Sequence, residues 1–501
     1  CREAAPLAPD ERREALAMLG GEIRKRQEDI LEALRLDLGK CAAEAYMSEL
    51  GLVLGELRLF NRKLKGWAAP RRCKSTAALW PARSEVIPEP FGQALILSPW
   101  NYPFQLAVLP LIAALAAGNR VILAPSGDSP ATSALLRELV GAALPSTLAY
   151  VALGGVPVAE KLLSEKFDFI FYTGSSRVGR LVMEAAARNL TPLCLELGGK
   201  SPVLVTEDAD LDLAARRIAW GKILNAGQTC VAPDYLLAQR GIAADLKGKI
   251  EREFKRMLGE NPLASDNYGC IVNRRFFDRL LGLASNSMRP AGQIPPGTAK
   301  ERNGQSTPHD PDGLGDMPPY AGQPIDPEAD NPEESLHQER PGAQKGPASD
   351  SSMLKIAPAA FFTAPDTPIM QEEIFGPLLP LLEYDDFSDA LTFIRSKPKP
   401  LAAYIFTGSA ESAGRFTREI SCGGCCVNDV VMQAASPHLP FGGVGPSGLG
   451  RYHGRFGFDL FSNLKGVVRP SGLPFLRWLD PPLRYPPYGK RRLALLRRFL
   501  G

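Results

Sequence analysis

Residues 93–126 read QALILSPWNYPFQLAVLPLIAALAAGNRVILAPS. Two short apolar runs, Ala94–Ser98 and Val121–Ala124, flank a longer one, Phe104–Ala117, with the length of a crossover helix. Neither short run alternates apolar with polar residues, so both predict strands covered on two faces, as in a parallel sheet joined by helices. The rhythm continues with predicted strands at Ala149–Leu153, Phe169–Tyr172 and Leu193–Leu197, and helices over Pro130–Ala143, Val156–Lys166 and Ser176–Asn189. The expectation is a doubly wound α/β domain ending near Leu197. A second α/β pattern follows, with strand Pro202–Val205, helix Leu211–Leu224 and later strands near Phe361 and Tyr404.

Upstream, residues 10–40 predict one helix capped by Asp10, with Leu16, Leu19, Ile23, Ile30 and Leu34 at helical spacing. A second helix runs to about Trp67, before the basic knot Arg71, Arg72 and Lys74. Residues 289–350 break the pattern: Pro, Gly, Asp, Glu and Gln dominate, and Tyr320 is their only aromatic. So little apolar area cannot offset ordering entropy, which predicts a disordered insertion with His309 and His337 solvated on it. The tail from Tyr485 carries Leu493, Leu495, Leu496, Phe499 and Leu500 among five basic residues. It predicts a short basic amphipathic helix, suited either to an anionic membrane surface or to docking on its own domain.

With 501 residues, core burial is not limiting, and neither disulfides nor metals are needed to hold the fold together. A formal charge of +3 argues against nucleic acid as a partner. Nine scattered cysteines suit a reducing compartment rather than a disulfide framework. No apolar leader precedes the first charged residues, and no apolar run reaches the roughly 18 residues of a membrane span. The expected location is cytoplasmic, with peripheral membrane contact through the tail.

Four segments carry chemistry. In Asn225-Ala-Gly-Gln-Thr-Cys230-Val-Ala-Pro233, a thiol sits in a polar turn after a helix, presented as a nucleophile rather than lost in an apolar run. In Leu193-Cys-Leu-Glu196-Leu-Gly-Gly-Lys200, a carboxyl interrupts a strand at its C-terminal end, where open α/β sheets bind ligands. Pro99-Trp100-Asn101-Tyr-Pro103 holds an amide on a turn, able to donate to a developing oxyanion. Phe171-Tyr-Thr-Gly174-Ser175-Ser-Arg-Val178-Gly179 runs from a strand through a Gly-bounded turn into a helix, which suits a phosphate at the helix N-terminus. Cys422-Gly-Gly-Cys425-Cys426 has no second cysteine pair at ligand spacing and reads as reduced thiols in a turn, not zinc. His438 and His453 are assigned no catalytic role.

These four segments, with Gln371-Glu-Glu373-Ile-Phe375-Gly-Pro377 and Pro440-Phe-Gly-Gly-Val-Gly-Pro-Ser-Gly-Leu-Gly-Arg451, closely resemble the aldehyde dehydrogenase superfamily. Cys-Val-Ala-Pro-Asp-Tyr235 and Arg-Tyr-His-Gly454 look like its class 3 branch, specifically 3B-type members. The resemblance implies a dinucleotide-binding domain over 1–197 with a bridging arm near 76–92, and a catalytic domain over 198–430 interrupted by 289–350. An active-site loop and bridging segment over 431–484 and the tail 485–501 complete it. It implies NAD or NADP as cofactor and oxidation of aldehydes to carboxylic acids, with medium- to long-chain aliphatic or aromatic aldehydes as substrates. Cys230 would be the nucleophile, Glu196 the proton acceptor and water activator, and Asn101 with the Cys230 N–H the oxyanion donors. Trp100, Gly174, Ser175, Val178, Gly179, Glu373 and Phe375 would line the cofactor. A homodimer through the bridging arm is also implied.

Three features depart from the family pattern. Where the family carries Lys and Glu against the adenosine ribose, this chain has Ala124 and Gly127, which implies weak binding with little preference between NAD and NADP. The insertion lies where the family has a short connection, and its removal should leave activity intact. The prenylated cysteine of 3B-type relatives has no counterpart at Leu500-Gly501. Two alternatives stand beside the dehydrogenase: a scaffold that has lost cofactor affinity, and a cofactor-independent esterase using Cys230.

Overall fold

The computed structural model describes residues 7–76, 79–288, 346–471, 474–476 and 485–500. Most of the expected insertion, including His309 and His337, lies outside these.

The N-terminal helical stretch is two helices rather than one, α1 (Pro9–Lys25) and α2 (Gln27–Leu38), parted at Arg26. Asp10 is not the cap: Pro9 occupies the first turn, where its missing N–H costs nothing, and Ala8 is the N-cap. The Ala8 N–H instead donates to the Glu11 carboxylate at 2.6 Å. Next come α3 (Ala42–Ala45), a π-turn over Tyr46–Leu50 and α4 (Gly51–Ala68). The basic knot enters strand β1 (Arg71–Cys73), which pairs with β2 (Arg83–Pro90).

The first large sheet follows the expected rhythm. It contains β3 (Gln93–Ser98), α5 (Gln105–Ala117), β4 (Arg120–Pro125), α6 (Pro130–Ala143), β5 (Ala149–Val151), α7 (Gly155–Ser164), β6 (Phe169–Thr173), α8 (Ser176–Ala187) and β7 (Leu193–Glu196). The parallel strands run in the order β5-β4-β3-β6-β7. The chain therefore moves outward from β3 and returns to its other side, leaving a topological switch point between β3 and β6, where such sheets bind ligands. All thirteen residues of α5 are buried, which explains why its apolar residues show no helical stripe.

The second sheet is built from β8 (Pro202–Val205), α9 (Leu211–Ile223), β9 (Tyr235–Gln239), α10 (Arg240–Leu258) and α11 (Arg274–Ser287). A small hairpin of β10 (Ser349–Asp350) and β11 (Lys355–Ile356) follows, so Ser349 and Asp350, expected within the disordered insertion, lie in a strand. Asp350 holds the hairpin: its carboxylate accepts the Ser352 and Met353 N–H groups in the turn between the two strands. Then come β12 (Ala359–Phe362), β13 (Leu378–Tyr384), α12 (Phe387–Ser396), β14 (Ala402–Phe406), α13 (Ala410–Glu419) and β15 (Gly424–Val427). Its order is β12-β13-β9-β8-β14-β15, with every pairing parallel.

The glycine-rich motif returns to the first sheet, where β16 (Gly448–Leu449) pairs antiparallel with β7 and sets Gly448 opposite Glu196. After α14 (Gly454–Leu460), β17 (Ser462–Arg469) lies along β2, completing a three-stranded antiparallel ribbon. The tail forms α15 (Lys490–Leu500). Among the described residues, no helix is long and apolar enough to cross a membrane.

Candidate active site

Cys230 is placed by a strained turn. After α9, Asn225, Ala226 and Gly227 take φ of 51°, 50° and 74°, in the left-handed region. At Gly227 a Cβ would collide with the Gly376 carbonyl, so only glycine fits. The turn is held by its own polar side chains. Gln228 Nε2 donates to the carbonyls of Asn225 (3.0 Å) and Cys270 (2.9 Å), and its Oε1 accepts from the Val272 N–H.

The loop after β3 is stitched to this turn. Asn101 is buried, and its Nδ2 donates to the Gln228 carbonyl at 3.0 Å. The Asn101 carbonyl accepts from Asn225 Nδ2 at 2.7 Å and Lys40 Nζ at 3.1 Å. Tyr102 and Thr229 share a 2.6 Å hydroxyl contact. One Asn101 amide hydrogen is thus used to fix its plane, and the other remains to donate. The N–H groups of Cys230 and Val231 point at the Cys230 sulfur. Burial, with Glu373 and Glu196 nearby, pushes that thiol up, so the resting group is neutral.

Glu196, at the end of β7, is buried, and burial holds its carboxyl well above the ordinary range; nearby Arg451 and a 3.7 Å contact from Cys194 Sγ act the other way. Its Oε2 has no hydrogen-bond partner in the protein. A buried orphan oxygen is costly, and here it lies close enough to Cys230 to raise the thiol. Gly442 closes the other side: its φ is 157°, and a Cβ there would reach within 2.9 Å of Glu196 Oε1.

Glu373 reaches the same region from the second sheet, its carboxyl pushed up to about 8 by burial and by Asp234. A Cβ at Gly198 would collide with this carboxylate, so the glycines after β7 leave room for it. Its loop is latched by the buried Lys200–Asp234 pair: Lys200 Nζ donates to the Ile369 and Glu372 carbonyls, and Asp234 accepts the Ile374 N–H at 2.9 Å. Phe375, at φ 53°, packs edge-on against Trp100 with ring centroids 5.4 Å apart.

At the switch point, Ser175 caps α8 by accepting from the Val178 N–H, and a Cβ at Gly174 would collide with the Tyr172 hydroxyl. Gly179 lies inside α8, where its absent Cβ lets the helix approach Leu197, so it serves packing rather than bounding the turn. The cap, the Gly174 turn and the first N–H groups of α8 form a cradle that fits a dinucleotide diphosphate. Ala124 is buried in the core, and Gly127 faces the Gly155 backbone, so neither position offers a charged side chain.

Cys230, Glu196, Asn101, Glu373, Phe375 and Trp100 are thus gathered between the C-terminal ends of the two sheets, with Gly174, Ser175 and Val178 beside them. Sequence reasoning missed Lys40, Glu49, Lys200, Asp234 and Arg451. Lys200 and Asp234 stand inside the quoted motifs and could have been flagged as charges beside apolar strands. Lys40 and Glu49 carry no such signal, because their pairing depends on how the helices pack. Among the described residues no cluster of His, Cys, Asp and Glu could hold a metal ion.

A profile of the aldehyde dehydrogenase family matches residues 2–310 and 334–467. The chain is 41% identical over 471 residues to aldehyde dehydrogenase family 3 member H1 of Arabidopsis thaliana, covering 94% of this chain and 86% of that one. It is 38% identical to family 3 member B3 of Mus musculus, over 98% and 91% of the two chains. It is 36% identical to the 4,4'-diaponeurosporen-aldehyde dehydrogenase of Staphylococcus aureus, over 95% and 92%. The substrate-bound structure of Staphylococcus aureus AldH superposes with a TM-score of 0.84 at 35% identity, over 99% of this chain and 95% of that one.

Proposed function

The chain belongs to the aldehyde dehydrogenase family and oxidises aldehydes with NAD or NADP; from that premise we propose that Cys230, Glu196 and Asn101 carry the chemistry. Cys230 Sγ adds to the aldehyde carbon while its proton passes to Glu196. The new oxyanion accepts from the second Asn101 amide hydrogen and from the Cys230 N–H. A bound nicotinamide would supply a hydride acceptor, and loss of hydride from the tetrahedral carbon on Cys230 would leave a thioester there. Glu196 releases that proton to solvent and then takes one from water as that water attacks the thioester, and the C–S bond breaks to free the carboxylic acid and restore Cys230. Glu373, Phe375 and Trp100 orient the nicotinamide end, and the Gly174–Val178 turn holds the diphosphate.

The observation that carries this reading is the unpartnered, buried Glu196 Oε2 beside Cys230. Cys230→Ala should lose nicotinamide reduction by at least about a thousandfold, as when a nucleophile is removed elsewhere. Glu196→Gln should slow both the first-turnover formation of reduced nicotinamide and steady turnover, because it loses the acceptor for the Cys230 proton and for water. A Glu196→Gln enzyme with unchanged turnover would assign water activation to another group.

The preferred substrates are medium- to long-chain aliphatic or aromatic aldehydes. The family resemblance supports this, as does the 4,4'-diaponeurosporen-aldehyde in the name of the Staphylococcus aureus relative. kcat/KM should rise from butanal to dodecanal; a flat series rejects the assignment. A homodimer would use the β17 edge of the ribbon, where Leu464 and Val468 are exposed. Sedimentation velocity should give twice the 54.2 kDa chain mass. Peripheral membrane contact rests on α15, whose Leu493 and Leu495 are exposed among basic side chains. Co-sedimentation with anionic vesicles, absent when Leu493 and Leu495 are replaced by Ser, tests it.

A further inference from the structure

The dithiol motif beside β15 has no part in the aldehyde chemistry, yet it sits directly behind the active site. Cys422 and Cys425 are half-buried and free, and both pack against the same core face of the second sheet. Cys422 Sγ donates to the Gly424 carbonyl at 3.2 Å and Cys425 Sγ approaches the Cys426 carbonyl at 3.8 Å, and the two thiols lie near enough to influence one another. Cys426 turns to the opposite face, where it donates to Gln433 Oε1 at 2.8 Å. The intervening Gly423 is packed so closely that a Cβ would collide with the Leu401 and Gly442 carbonyls. Gly442 is the residue whose far side rests against Glu196 Oε1. Cys425, Gly442 and Phe441 also line one cavity of about 200 Å³, which leaves space for this turn to move. Arg451, whose Nη1 donates to the Gly443 and Gly450 carbonyls, lies near enough for its charge to act on both Cys422 and Glu196.

We propose that Cys422 and Cys425 are a hydroperoxide-sensitive dithiol, and that their disulfide slows turnover by shifting the Gly442 backbone against which Glu196 rests. In the first step the Cys422 thiolate attacks the outer oxygen of the hydroperoxide. The O–O bond breaks, the alcohol leaves after taking a proton, and a sulfenic acid remains. Cys425 sulfur then attacks Cys422 sulfur, the S–O bond breaks and water leaves with the Cys425 proton. The two thiols are oxidised by two electrons and the peroxide is reduced by two. An external dithiol reverses the change. The neighbouring Cys425 thiol and the Arg451 charge pull the Cys422 thiol down from its ordinary range, whereas burial pushes the Cys230 thiol up.

The test is limited treatment of the full-length protein with hydrogen peroxide, followed by peptide mapping and assay before and after dithiothreitol. The expected result is a Cys422–Cys425 disulfide and a fall in kcat of at least about fivefold, the lower end of ordinary coupling between sites. Dithiothreitol should restore it. Cys422→Ser and Cys425→Ala should each keep the untreated kcat and resist this loss; two substitutions guard against one failing to fold. A bridge to Cys426, no bridge at all, or equal inactivation of both variants would overturn the proposal, the last pointing to oxidation of Cys230.

Discussion

Ala124 and Gly127 stand at the two positions where the family resemblance expects a Lys and a Glu against the adenosine ribose. At Gly127 crowding does not exclude a side chain, since a Cβ meets the Gly155 Cα at an ordinary 3.4 Å, whereas Ala124 is buried where β4 ends. A charged hydrogen bond contributes roughly 1.5–3 kcal/mol, so each lost anchor weakens cofactor binding about tenfold or more. Wild-type protein should bind NAD and NADP weakly and alike. Gly127→Glu should tighten NAD about tenfold and repel the 2′-phosphate of NADP. Tryptophan-quenching titrations with both dinucleotides measure this, and a wild-type protein already tight and selective for NAD would contradict it. Gly198 gives a second test at the same scale. A methyl there occupies the space of the Glu373 carboxylate, so Gly198→Ala should raise the KM for the dinucleotide while Cys230 stays alkylatable.

At the scale of elements, the N-terminal helices hold the catalytic turn in place through a fully buried ion pair. Lys40 and Glu49 meet at 2.6 Å with both side chains inaccessible. Glu49 also accepts the N–H groups of Phe104 and Gln105 at the start of α5, and Lys40 donates to the Asn101 carbonyl. Removing one partner leaves the other charge buried without compensation. Lys40→Met should cost about 3–5 kcal/mol. It should also loosen Asn101, because the carbonyl that fixes its backbone loses a donor. Urea unfolding measures the first effect and kcat the second. A variant as stable as wild type would contradict the assignment.

Across the whole molecule, two buried groups on the contact between α4 and the glycine-rich motif set opposing pH limits. Burial pushes the Glu56 carboxyl up to about 7, only partly offset by the 2.6 Å bond from the Gly454 N–H. The native state keeps this proton after the unfolded chain has released its own. Stability from this group therefore falls as pH rises from the ordinary 4.5 to about 7 and stays low above. His453, stacked on Phe441 with ring centroids 5.1 Å apart, is depressed by burial to about 4. The unfolded chain takes up that proton first, so stability is lost as pH falls from 6.5 to about 4. Glu56→Gln keeps an acceptor for Gly454 but removes the first effect. Its stability relative to wild type should grow by about 2–3 kcal/mol between pH 5 and pH 8. Thermal unfolding at the two pH values checks this; a constant difference would mean that Glu56 titrates normally.

The sequence by itself determined the strand and helix rhythm between residues 93 and 205, because strands buried on both faces must be continuous apolar runs and their crossovers must be helices. It also determined which residues can do chemistry, since a thiol in a polar turn, a carboxyl at a strand end and an amide between prolines are each locally unusual. The split at Arg26, the Pro9 start and the strand at Ser349 and Asp350 escaped it, because they depend on local backbone contacts that composition does not encode. Tertiary structure alone decided which side chains hold the site. Lys40 reaches Asn101 across 61 positions of chain, Glu49 reaches Phe104 across 55, and Gly442 meets Glu196 from 246 residues away. Such contacts depend on how two sheets and a helical cap pack together, and no local pattern carries that information.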